Sequence, residues 1–230
     1  VSMDRAVDSL RFSFGQDSSY TLTNLAILLP PEWTWSHLVS SVTLAGTGFS
    51  SAIPSVVGET LFIAQASLSP ADSGSVTIAS LTSPATKGNS TFTVRTAVAA
   101  GTLTPILQHP RVRVLELVPI VVVHVNDASG VPTAPYGIGA EATVTGIVTA
   151  NLSDIRTDIY LQDGTAGINI FSFDLPPFAL APGDSLTVTG SILQFRGLTE
   201  IAPEFALLQR HATGRPIPEP TVVTCAGVNA

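Results

Sequence analysis

Apolar and polar residues alternate with a period of two along most of this 230-residue chain. Leu10-Arg11-Phe12-Ser13-Phe14 follows the rule, as do Tyr20-Thr21-Leu22-Thr23 and Ser75-Val76-Thr77-Ile78. So do Thr91-Phe92-Thr93-Val94-Arg95-Thr96 and Arg111-Val112-Arg113-Val114. In a strand, successive side chains point to opposite faces, so each run buries one face and wets the other. Turn residues separate the runs at Gly15-Gln16-Asp17, Leu29-Pro30-Pro31, Pro70-Ala71-Asp72-Ser73-Gly74 and Lys87-Gly88-Asn89. No window of a dozen residues carries a helical apolar stripe. Residues 1–117 therefore predict an antiparallel sandwich of about seven short strands. The paired cysteines and central tryptophan of a true immunoglobulin domain are missing, so the expectation is an Ig-like sandwich in the looser sense.

From residue 118 the pattern changes in spacing but not in period. Residues 120–126 read as an entry strand, and 130–139 as a loop rich in Pro and Gly. Strands are then predicted over 142–150, 158–162, 167–171 and 185–193, with a fifth beginning at 198–201. Residues 175–180 carry prolines and read as a crossing with room for one helical turn. Asp163-Gly164 and Pro182-Gly183-Asp184 punctuate the series. Gly146 and Gly190 lie inside strands, where a missing side chain permits the sharp coiling that closes a small barrel. Residues 118–220 thus predict a five-stranded barrel, joined to the sandwich by almost no linker. Residues 221–230 read as a tail or the start of a further domain. The overall fold class is all-β.

Composition narrows the function. Hydrophobic residues make up 45% of the chain and charged residues 12%, so cores can form and disorder is disfavoured. Lys87 is the single lysine, and the net charge is −7, a poor balance for gripping a phosphate backbone. Cys225 is the single cysteine, so no intrachain disulfide can form. No apolar run is long enough to span a membrane. The start Val1-Ser2-Met3-Asp4 has neither the basic nor the apolar region of a signal peptide, and both ends read as those of a fragment of a longer polypeptide.

The barrel strands also resemble a known module. The residues are Thr143-Val144-Thr145-Gly146-Ile147-Val148-Thr149, Tyr160-Leu161-Gln162-Asp163, Gly167-Ile168, Pro182-Gly183-Asp184, Val188-Thr189-Gly190, and Phe195-Arg196-Gly197-Leu198-Thr199-Glu200-Ile201. Together they resemble the OB-fold module that accompanies catalytic domains in secreted bacterial nucleases and surface proteins. The first half is only generically similar to the sandwich modules of bacterial surface proteins. The resemblance implies a secreted or cell-surface bacterial protein in which this fragment assists a catalytic domain elsewhere. No catalytic constellation is legible in the chain, so no enzyme activity, cofactor or metal of the fragment's own is expected. Its expected partners are other domains of the parent polypeptide and, as alternatives, nucleic acid or carbohydrate; a purely structural spacer is the third reading.

OB-folds bind oligonucleotides or oligosaccharides on the face of strands two and three. Alternation puts Ile159, Leu161, Ile168 and Ile170 inward and Tyr160, Gln162, Asn169 and Phe171 outward. Tyr160 and Phe171 then offer stacking faces, with Gln162, Arg156, Phe195 and Arg196 as the remaining candidates. The competing reading packs Tyr160 and Phe171 against a neighbouring domain or loop. Charge opposes a nucleic-acid ligand: residues 119–220 carry ten acidic residues and four arginines, and Arg210 and Arg215 fall beyond the expected barrel. Trp33 and Trp35 present a sugar platform or, as expected of large aromatics, plug the end of the sandwich. Asp154, Asp158, Asp163 and Asp174 form a loose group, as does Asp127 with its neighbours, but without calcium-loop spacing each suits a turn. His37, His109, His124 and His211 form no metal pair of the HExxH kind. No GxSxG nucleophile elbow occurs, and Gly137-Ile138-Gly139 lacks a dinucleotide motif's third glycine.

Overall fold

The computed structural model describes Met3 and residues 6–15, 19–99 and 101–219. Cys225 and the expected tail lie outside these residues, as does most of the Gly15–Asp17 turn. The chain divides into two compact units, Val1–Glu116 and Leu117–Ala230. Among the described residues no helix is long and apolar enough to cross a membrane.

Among the described residues the first unit contains ten strands. They are β1 (Ala6–Gly15), β2 (Leu22–Leu28), β3 (Val42–Ala45), β4 (Ile53–Val57), β5 (Thr60–Ala64), β6 (Ser73–Thr82), β7 (Gly88–Thr91), β8 (Thr93–Val98), β9 (Thr104–Pro105) and β10 (Arg111–Val114). One sheet has the order β1-β6-β3, a second β4-β5-β2-β8-β9, and β10 pairs with β7; every pairing is antiparallel. Both larger sheets face one core. Phe12, Val76 and Ile78 enter it from one side, Leu25, Ile27, Leu61, Ile63 and Val94 from the other.

Ten strands replace the seven expected, for two local reasons. The alternating run 91–96 breaks at Phe92, which is fully buried and whose amide donates to the Pro110 carbonyl at 2.9 Å. The halves then serve different sheets. The β4–β5 hairpin, turned at Gly58 with φ 56°, lay in a stretch without a recognised pattern. Trp33 and Trp35 are buried, at 2% and 4% exposure, so the plug reading holds and the sugar platform falls. Trp33 meets Phe92 edge-on at 5.5 Å. Trp35 donates its indole N–H to Glu59 at 3.1 Å, giving its polar end a partner.

The second unit is a closed barrel of β11 (Glu141–Asn151), β12 (Thr157–Gln162), β13 (Gly167–Ser172), β14 (Ser185–Phe195) and β15 (Leu198–Pro203). The order β11-β12-β13-β15-β14 returns to β11, with β13 and β15 parallel and every other barrel pair antiparallel. This is the five-stranded OB topology. Val144, Val148, Ile159, Leu161, Ile168, Ile170, Leu186, Val188, Ile192 and Ile201 fill the interior, each at 2% exposure or less.

The seam between β11 and β14 carries two threonine pairs, Thr143–Thr189 at 3.0 Å and Thr145–Thr187 at 2.7 Å. Closure also needs the two in-strand glycines. A Cβ on Gly146 would stand 2.5 Å from the Gln162 carbonyl oxygen, and one on Gly190 would press into that of Ala202.

Three expectations change here. Residues 120–126 are not a strand: Ile120–His124 is a short 3-10 helix beginning after Pro119. Asp163 anchors it by accepting the Ile120 amide at 2.8 Å. The 175–180 crossing has no helical turn. Finally, β16 (Gln209–Ala212) pairs with Ser185–Thr187 of β14, which adds an edge strand carrying Arg210 beside the barrel. Its guanidinium lies 4.7 Å from the Phe178 ring centre and donates to the Ala179 carbonyl at 2.8 Å.

Candidate ligand-binding groove

The outward face of β12, β13, β15 and β14 forms the floor of a groove of about 710 Å³. The register assembles it row by row. Tyr160 pairs with Asn169, Asn169 with Glu200 across the parallel pair, and Glu200 with Leu193. Asp158 pairs with Phe171 in the row on one side, and Leu198 with Phe195 in the row on the other. The same alternation that sends Ile159, Leu161, Ile168, Ile170 and Ile201 into the barrel sends these residues out. Phe173 and Ile138 complete the apolar walls.

Loops supply the cations. Arg156 lies between β11 and β12, 5.4 Å above the centre of the Phe171 ring and 3.8 Å from Asp158. Phe173 meets Phe171 edge-on at 5.3 Å. Arg196 sits in the β14–β15 hairpin tip, where Arg196 and Gly197 have φ of 51° and 87°. Positive φ at both positions is the geometry of a tight two-residue hairpin turn. It returns the Arg196 guanidinium to 5.2 Å above the Phe195 ring.

Of the six candidates, Arg156, Tyr160, Phe171 and Phe195 line the groove, and Arg196 covers Phe195. Gln162 shares their face but pairs with Gly167 in the outer row and is not part of the lining. Aromatic exposure is uneven: Phe173 is 82% exposed and Phe195 61%, whereas Tyr160 and Phe171 are half-buried.

The floor holds two carboxylates. Asp158 accepts from the Asn169 side-chain amide at 2.9 Å. Glu200 is 7% exposed, and among the described residues its carboxylate has no hydrogen-bond partner. Burial, reinforced by the charge of Asp158, pushes its carboxyl pKa above the ordinary value. Glu200 was not among the residues singled out from the sequence. The outward phase of Thr199-Glu200-Ile201 was legible; its place beside Asn169 depended on the parallel pairing.

Asp163 and Asp127 serve turns. Asp163 is burdened by burial, yet bonds from Ile120, Thr165 and Ala166 outweigh it and hold its carboxyl below the ordinary value. Asp127 accepts the Ser129 and Val131 amides at 2.8 and 3.0 Å. Among the described residues no three His, Cys, Asp or Glu side chains are grouped to hold a metal ion.

No family model matches the chain. One curated protein is similar to part of it: Endonuclease YhcR of Bacillus subtilis (strain 168), 34% identical over 106 residues. That alignment covers 44% of this chain and 8% of the endonuclease. The chain is thus similar to a small part of a much longer nuclease.

Proposed function

We propose that this chain is a non-catalytic binding module of a larger secreted or cell-surface polypeptide, and that its groove holds a few nucleotides of single-stranded nucleic acid for a catalytic domain elsewhere in that polypeptide. The observation that carries this reading is the convergence of Tyr160, Phe171, Phe173 and Phe195 on one groove beside Arg156. Every nucleobase has a face that stacks on an aromatic ring, so such a groove accepts a strand without requiring one sequence. The likeness to part of an endonuclease supports the same ligand class. The first unit, on this reading, is an Ig-like spacer.

The acidic charge shapes the mode of binding rather than opposing it. Two arginines, Arg156 and Arg196, stand at the groove. Neutralising two phosphates of a single strand gives a salt slope of roughly −1.4 in log K against log salt. Stacking must then supply most of the affinity.

The test is fluorescence anisotropy of a labelled oligothymidylate against the full chain over a range of salt. The expected result is saturable binding with a shallow salt slope, weakened about tenfold in Phe171→Ala and again in Phe195→Ala, the scale of one lost stacking partner. Binding that is unchanged in both variants, or absent at low salt, overturns the reading.

A further inference from the structure

Glu200 poses a chemical problem that the stacking reading leaves open. A carboxylate withdrawn from water normally has donors to replace its hydration, because a buried acceptor without a partner destabilises the fold. Asp158, its neighbour in the floor, has Asn169 on one oxygen and Arg156 near the other. Glu200 has no such partner among the described residues, yet it is more than nine-tenths buried and lines the groove. The missing donors must come from outside the chain. The Glu200 carboxylate faces a groove whose walls are largely apolar, so a base edge arriving there displaces water and meets an acceptor that no side chain among the described residues occupies.

We infer that Glu200 reads the edge of an unpaired base and that the groove prefers guanine. This inference rests on the nucleic-acid reading above and deepens it. Guanine alone among the common bases presents two adjacent donors on its pairing edge, N1–H and the N2 amino group. Their spacing matches the two oxygens of one carboxylate, giving a bidentate charge-assisted pair. Adenine and cytosine set one donor beside a ring nitrogen acceptor, which faces a carboxylate unfavourably. Thymine flanks its single donor with two carbonyl acceptors. The register places Phe171 in the row on one side of Glu200 and Leu198 with Phe195 on the other. A base entering edge-first is therefore flanked by apolar surface as it reaches the floor.

The experiment measures binding of four hexanucleotides to the full chain by anisotropy. One is all thymidine; the others carry one central guanine, adenine or cytosine. Guanine is expected to bind about tenfold tighter than thymine, within the range of a good bidentate contact. Glu200→Gln, nearly the same shape, is expected to level the four affinities. Thermal unfolding confirms that the variant is folded. A ligand-side control needs no mutation: inosine, which keeps N1–H and lacks the amino group, is expected to lose most of the advantage.

Equal affinity for all four strands, or a guanine preference that survives both Glu200→Gln and inosine, overturns the inference and leaves the binding module intact. Failure of every strand to bind, with a neutral oligosaccharide binding instead, removes the module reading and this inference together.

Discussion

Glu200 and Asp163 carry opposite pH signatures. Burial raises the Glu200 carboxyl above its ordinary 4.5, so the folded chain keeps a proton that the unfolded chain releases. Its contribution to stability is complete below pH 4.5 and is lost as pH rises through the raised folded value. At neutral pH, Glu200→Gln should therefore stabilise the free protein, on the order of 1 kcal/mol, even as it removes the guanine preference. A denaturant titration that finds the variant weaker would contradict this. Asp163 behaves in the reverse sense. Its carboxyl lies below 3.8 despite burial, because donated hydrogen bonds prevail. Its stabilisation is present above that value and is lost as pH falls through the lower folded one. Asp163→Asn should cost about 1–2 kcal/mol at pH 7 and flatten the loss of stability below pH 4, as read by urea unfolding across pH. Only one of these roles was plain from the sequence. An acid beside a turn glycine announced a turn at 163, whereas an acid in a strand announced only an outward position at 200.

The barrel strands were the most legible elements, and their boundaries moved by no more than a residue or two because alternation specifies register. Elements that obey tertiary partners were not legible. The run Ile120-Val121-Val122-Val123-His124 is β-branched and reads as a strand. Asp163 on one side and the Gly167 carbonyl, bonded by His124 at 2.8 Å, on the other hold it as a 3-10 turn. Strand β16 has no alternation of its own and pairs along the edge of the first half of β14 that β15 does not reach. Gly146 and Gly190 are the glycines whose role the sequence did announce. Gly190→Ala should destabilise the second unit by about 2–3 kcal/mol through forced separation of β14 from β15, measurable as a lowered urea midpoint with an unchanged slope.

At the level of the molecule, two cores are built from separate sets of residues, one from Phe12 to Val114 and one from Ile120 to Leu208. Each unit can therefore be expected to fold by itself. Residues 117–219 expressed alone should unfold in one cooperative transition and bind the labelled strand as the full chain does. A non-cooperative melt would refute the independence of the barrel. The chain's charge was legible from composition, but its distribution was not. The acidic excess weighed against a nucleic-acid ligand without showing where the arginines lie; Arg156 and Arg196 stand over aromatic rings at the groove. Strand alternation has a consequence for descent. Every second residue answers to the oily interior, and its neighbour answers only to whatever lies outside. Mutation can rewrite the second set while the first stays fixed, so a lineage can keep its cylinder and change its cargo. Cousins that look alike in their inward letters need not share an appetite.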